Sequence, residues 1–278
     1  MVKPVQVIAV SGGKGGVGKT NVSINLGCAL AEAGQRVALL DADFGLANVD
    51  VLLGLKATKN IEQVLDGECS LLDIMLEGPS GLKIIPASSG TRRLTRMDSL
   101  HHAGIIRAFS ELASQLDVLI IDTAAGIGDS VVSFVAAAQD VLLVVCDEPS
   151  SITDTYAMIK VLSQDYGKRR IRILANMVKG ETEGRALFAK LQGVCDRFLD
   201  VGLLYAGTIP FDEALRNAVR KQQLLLTAAP GSPAARALKR LAEEVSAWPM
   251  AMRSQGHLEF FVEQLLSSES IAAEAQRV

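Results

Sequence analysis

Short apolar runs recur along the chain, separated by longer stretches in which apolar and polar residues alternate with a helical period. Seven runs read as strands: Val5–Val10, Arg36–Asp41, Leu82–Pro86, Val118–Asp122, Val141–Cys146, Ile171–Ala175 and Leu204–Ile209. Between most of them lie helical patterns, among them Thr20–Ala33, Asp98–Gln115, Ile152–Ser163 and Glu181–Arg197. Several strand candidates are apolar at consecutive positions, as strands covered on both faces are. Strand and helix in alternation predict an α/β fold: a doubly wound, mostly parallel sheet with helices on both faces. The break Pro230-Gly231-Ser232-Pro233 separates a main body, residues 1–229, from a C-terminal helical tail, residues 230–278, packed on the body or extending from it.

Composition narrows this picture. Hydrophobic residues make up 49% of the 278 but aromatics only 4%, so Val, Ile, Leu and Ala fill the core. The net charge is −3, from 28 Lys+Arg against 31 Asp+Glu, without the basic surplus that direct nucleic-acid binding draws on. The opening apolar run is too short for a signal peptide. The longest apolar stretches, Val131–Ala138 and Val141–Cys146, are interrupted by Gln139-Asp140 and fall short of the ~20 residues of a spanning helix. Cys28, Cys69, Cys146 and Cys195 are widely spaced with no C-x-x-C pair, which predicts reduced thiols in a cytoplasmic protein and no zinc or iron–sulfur site. His101, His102 and His257 are not spaced as metal ligands. Arg92-Arg93 and Lys168-Arg169-Arg170 read as solvated loop charge.

The chemistry begins at Gly12. Gly13-Lys14-Gly15-Gly16-Val17-Gly18-Lys19-Thr20 fits G-x-x-x-x-G-K-[ST], between a strand and a helix. The glycines let consecutive N–H groups face phosphate oxygens, and the following helix adds its positive end. Lys19 supplies charge to the β- and γ-phosphates of ATP, and the Thr20 hydroxyl is placed to ligate Mg²⁺. Asn21 follows directly. Two aspartates close strands where a doubly wound sheet places ligands: Asp43 in Leu39-Leu40-Asp41-Ala42-Asp43-Phe44-Gly45, and Asp122 in Ile120-Ile121-Asp122-Thr123-Ala124-Ala125-Gly126. Asp122 is the candidate to hold Mg²⁺ through water, Asp43 to orient the attacking water. Either also reads as a simple turn former or helix cap.

The second lysine, Lys14, gives the loop the form K-G-G-x-G-K-T. This resembles the deviant phosphate loop of the MinD/ParA ATPases, and spaced motifs from about Val5 to Gln223 extend the likeness. The resemblance implies that Lys14 reaches across a homodimer formed when ATP is bound. It also implies that Glu148, in Asp147-Glu148-Pro149-Ser150, approaches the partner's ribose, and that Asp154 supports the dimer. Asn176 would read adenine, while Pro210, Phe211 and Asp212 belong to a loop closing over the base. Asn21 departs from the threonine common at its position. Within the family, Asn21-Val22-Ser23, Gly126-Ile127-Gly128-Asp129-Ser130 and Gly256-His257-Leu258-Glu259-Phe260-Phe261 resemble the FleN/FlhG group of flagellar-number regulators. That implies a FleQ-type transcriptional activator and an FlhF-type GTPase as partners. The chain opens without the D-Q-A-type extension that some members use on FlhF, so stimulation of that GTPase is not among the expectations.

In the tail, Leu258, Phe261, Val262 and Leu265 form an apolar helical stripe opposite Glu259, Glu263 and Gln264. Members of the family often bind membrane through a C-terminal amphipathic helix, but interfacial helices that bind anionic lipid are usually basic on the polar side; an acidic side favours docking on the body or a partner over membrane association. The expected function is an ATP-switched dimer that restrains flagellar gene activation. Three alternatives stay open: a MinD/ParA-type positioner on membrane or nucleoid, an iron–sulfur carrier, whose clustered cysteines are missing here, and a binding protein with an inactive site.

Overall fold

The computed structural model describes residues 4–43, 49–86, 108–109, 111–249 and 262. Among them is one eight-stranded sheet, order β3-β4-β2-β5-β1-β6-β7-β8. The strands are β1 (Gln6–Ser11), β2 (Val37–Ala42), β3 (Leu76–Glu77), β4 (Lys83–Ile85), β5 (Val118–Thr123), β6 (Asp140–Val145), β7 (Arg170–Val178) and β8 (Gly202–Pro210). All pairings are parallel except β3 with β4. β1, β2, β5 and β6 are buried at every residue, which is why their sequences run apolar without alternation.

The principal helices are α1 (Lys19–Glu32), α2 (Asp129–Ala137), α3 (Pro149–Gln164), α4 (Glu181–Phe198), α5 (Glu213–Arg220), α6 (Leu225–Ala228) and α7 (Pro233–Ser246). They bury two apolar clusters, one on each face of the sheet. α2, α3 and α4 cover Ala9, Leu119, Ile121 and Leu143; α1, α5, α6 and α7 cover Ile8, Val10, Ile120 and Leu142. α1 is buried almost all round from Val22 to Leu30, because α7 packs on the side away from the sheet. α7 starts cleanly: the Ser232 hydroxyl accepts from the Ala235 N–H and Pro233 occupies the first turn.

One expectation changes. Lys168 is not solvated loop charge: Nζ donates to the Ala138 carbonyl at 2.6 Å, and burial lowers its pKa to about 8. Arg169 and Arg170 are exposed as expected, Arg169 pairing with the exposed Asp200. Phe44–Asn48, Arg92-Arg93, the histidines and residues 98–107 and 110 of Asp98–Gln115 lie outside the described residues, as does the tail stripe except Val262, which is fully buried in the α2–α4 cluster. No helix among the described residues is long and apolar enough to cross a membrane.

Candidate functional site

The phosphate loop joins β1 to α1 at the carboxyl ends of the central strands. Gly18 starts the helix at φ 92°, in the left-handed region that suits glycine. Gly13 has a different reason: a Cβ there would collide with the backbone of Asp154 and Thr155 in α3. The loop therefore seats against α3 before it meets any ligand. Gly15 and Gly16 are exposed, while Val17 is buried beneath them. Lys19 is 8% exposed; its Nζ donates to the Lys14 carbonyl at 3.4 Å. Burial pulls its pKa down, against the pull of Asp122 and Asp43.

Those carboxylates end neighbouring strands. Asp41 of β2 lies in register with Asp122 of β5. Asp122 is 1% exposed, and burial pushes its pKa up to about 7, opposed by hydroxyls of Thr20 and Ser23 and by Lys19. Ser23 Oγ donates to Asp122 Oδ1 at 2.8 Å. Asp41, unassigned by the motifs, organises the segment that follows it. Its Oδ1 accepts from the Asp43 N–H at 3.0 Å and its Oδ2 from the Val49 N–H at 3.2 Å. Ser23 was legible in principle, one helical turn beyond Thr20 on the same face.

Lys14 turns back onto its own chain. Its Nζ donates to Glu148 Oε2 at 2.7 Å and Ser150 Oγ at 2.8 Å, at the start of α3, with Asp154 near enough to add attraction. The pair is exposed, 37% for Lys14 and 59% for Glu148, so water weakens it and the lysine is free to exchange partners.

Beside Gly18 opens an apolar cavity of about 260 Å³, walled by Val22, Met177, Ile209, Leu215 and Val219, with Asn21 and Asn176 at its polar margin. Asn176 is 2% exposed; its Nδ2 donates to the Val17 carbonyl at 2.7 Å. That bond orients the amide so that Oδ1 is left to accept from a ligand. The β8 residue Pro210 leads into Phe211, which is exposed beside Arg216. Asp212 follows in the same loop. Oδ1 accepts from the Ala214 N–H at 2.9 Å and Oδ2 from the Ala234 N–H at 3.0 Å, so its carboxylate caps α5 and ties it to α7. Leu215 and Val219, the cavity walls that no motif marked, are four apart on one face of α5.

The residues fit a magnesium nucleotide. A phosphate would bring Lys19 the negative charge that its buried ammonium lacks, and a cation would favour the ionised form of Asp122. Thr20 and Asp122 would be the groups to hold Mg²⁺, which would neutralise phosphate charge there. The apolar cavity is of a kind that would take a nucleobase, and Asn176 would be the polar group at its margin.

A family profile described as "ParA: NUBPL iron-transfer P-loop NTPase" matches residues 3–246. This chain's buried thiols do not favour thiolate ligation: burial pushes Cys28 up to about 12, and Cys146 and Cys195 up to about 11. The chain is 60% identical over 263 residues to the antiactivator FleN of Pseudomonas aeruginosa, covering 95% of this chain and 94% of that one. It is 37% identical to the flagellum site-determining protein YlxH of Helicobacter pylori, covering 84% and 80%. Among solved structures it resembles MinD complexed with Mg-ADP from Pyrococcus horikoshii, with TM-score 0.65, 25% identity and 87% and 96% coverage. The MinC:MinD complex of Aquifex aeolicus matches with TM-score 0.68, 26% identity and 90% and 99% coverage. The chain belongs to the MinD/ParA family of P-loop ATPases and, within it, is related to the FleN/FlhG proteins.

Proposed function

We propose that this chain is a Mg-dependent ATPase that dimerises with ATP bound and, in that state, restrains a FleQ-type transcriptional activator, so limiting flagellar number. The observation that carries the reading is the 60% identity to an antiactivator across 95% of the chain, a span far longer than a shared phosphate loop. In this reading Lys14 leaves Glu148 and Ser150 for the partner's nucleotide when two subunits meet. Lys19 takes the phosphates, Thr20 and Asp122 hold the cation, Asp43 orients the attacking water, and Asn176 accepts from the adenine amino group. The purpose of hydrolysis is to end the dimeric state, as in other nucleotide switches. An FlhF-type GTPase and the membrane surface are further candidate partners that rest on family resemblance alone. Work in the cytoplasm with visits to the inner membrane or cell pole belongs to the same proposal.

Capture of a purified FleQ-type activator on the immobilised chain tests this. Binding with Mg²⁺ and a non-hydrolysable ATP analogue, weaker with Mg·ADP, and repression of activator-driven transcription in the same pattern are expected. Capture in neither state contradicts the proposal. Salt-sensitive binding to anionic vesicles or DNA in its place would favour a spatial positioner.

A further inference from the structure

Helix α5 ends in a reversed turn in which the Gln222 N–H donates to Val219 O at 3.0 Å and the Gln223 N–H to Ala218 O at 2.9 Å. Gln222 sits there at φ 52°, a left-handed conformation that glycine ordinarily supplies at this helix position. Its side chain is exposed, so no apolar burial explains a long residue at a strained place. What the side chain has is reach: Nε2 donates to the Val51 carbonyl at 2.8 Å, across 171 residues of sequence. Gly54 lies alongside, its Cβ position 3.9 Å from Gln222 Oε1.

Both elements joined by this bond lead to the site. α5 forms a wall of the base cavity through Leu215, Arg216, Val219 and Arg220. Val51 belongs to the short helix Val49–Leu53, whose first N–H is held by Asp41 Oδ2 while Asp41 Oδ1 holds the Asp43 N–H. The backbone on either side of the Asp43 segment is thus pinned at one end by Asp41 and braced at the other by Gln222.

We propose that Gln222 is a positioning residue for ATP hydrolysis: its amide braces the Val49–Leu53 helix against the wall of the base cavity and thereby keeps Asp43 in working geometry. The inference rests on the reading of Asp43 as the residue that orients water. Asp41 sets the local turn, and Gln222 makes that turn answer to the helix the base packs against. Small displacements of a water-orienting group have large effects on turnover and little on binding.

Three variants separate reach from fold. Gln222→Gly relaxes the left-handed turn and removes the donor; Gln222→Glu keeps the size but offers an acceptor to an acceptor; Gln222→Lys restores a donor of similar reach. Amide hydrogen exchange of nucleotide-free protein and steady-state kinetics are measured on each, with Asp43→Ala as companion. The Gly and Glu variants should exchange faster at Val49–Leu55, with the rest of the protein unchanged. Their kcat should fall roughly three- to tenfold with KM within about twofold, and the Lys variant should recover most of both. Unchanged exchange at Val49–Leu55, or unchanged kcat in the Gly and Glu variants while Asp43→Ala is inactive, overturns the proposal. If Asp43→Ala itself turns over normally, the role given to Asp43 falls and this inference falls with it; unaltered exchange alongside normal Asp43→Ala hydrolysis would show both failing separately.

Discussion

At the floor of the sheet, where β1, β6 and β7 begin, Asp140 and Arg172 form an ion pair with side chains only 8% and 7% exposed. Gln6 Nε2 donates to Asp140 Oδ2 at 3.0 Å, and the Arg172 guanidinium lies over the Trp248 ring at 3.9 Å. At the opposite end, Asp122 and Lys19 are buried as deeply, yet burial holds Asp122 up at about 7 and pulls Lys19 down. Buried charge is therefore present at both ends of one sheet, and of these two pairs the one at the floor meets in an ion pair, where Asp140 offsets the burial that lowers the Arg172 pKa. The floor network closes on itself and anchors the end of α7 through Trp248; the upper one is completed by a phosphate and a cation. The contrast teaches how to sort buried polar groups: a closed set holds the fold, and an incomplete one marks a site.

The largest effect that tests this contrast is at the floor. Arg172→Met leaves Asp140 buried without its cation, and denaturant unfolding should show a loss of roughly 3–5 kcal/mol, with ATP turnover per folded molecule unchanged. A turnover defect without instability would erase the distinction between the ends. Asp122→Asn should behave in reverse: ATP turnover falls about 10- to 100-fold, while the nucleotide-free protein is at least as stable as before at pH 8. A smaller effect follows from pH. The ordinary value for Asp122 is 3.8 and the folded value about 7, so between them the folded state holds a proton that the unfolded state has released. Stability of the nucleotide-free protein should thus decline as pH rises from about 4 through about 7, level off above, and lose that slope in Asp122→Asn. Thermal melts at pH 6 and pH 8 check it. Smallest of all, Glu148→Gln should leave the melting temperature unchanged because its ion pair with Lys14 is exposed, yet let the dimer form at a lower concentration of ATP analogue.

Much of the fold and site was readable from sequence, for reasons that individual residues make plain. The runs of β1, β2, β5 and β6 were found because strands buried on both faces are continuously apolar, and the phosphate loop because its glycines and Lys19 follow from phosphate geometry. β3 escaped because Leu76–Glu77 is too short to show a period and pairs antiparallel at the edge. α2 showed only as an apolar stretch, since Val131, Val132, Phe134 and Val135 are all buried and leave little polar alternation. Sequence left open whether the tail packs on the body or extends from it, because the α1 surface that α7 packs on is far away in sequence. At the site, Asp212 carried a motif but its carboxylate caps two helices, and the hydroxyl of Ser23 and the walls Leu215 and Val219 carried none. Motifs register chemistry shared by many chains; caps and cavity walls depend on which distant segments the fold brings together.

The most direct test of the account is solution mass by light scattering, first with Mg·ADP and then with Mg²⁺ and a non-hydrolysable ATP analogue. The account predicts a monomer that becomes a dimer only with the analogue, and a Lys14→Ala protein that binds the analogue yet stays monomeric. A mass indifferent to nucleotide, or a normal dimer in Lys14→Ala, would contradict it.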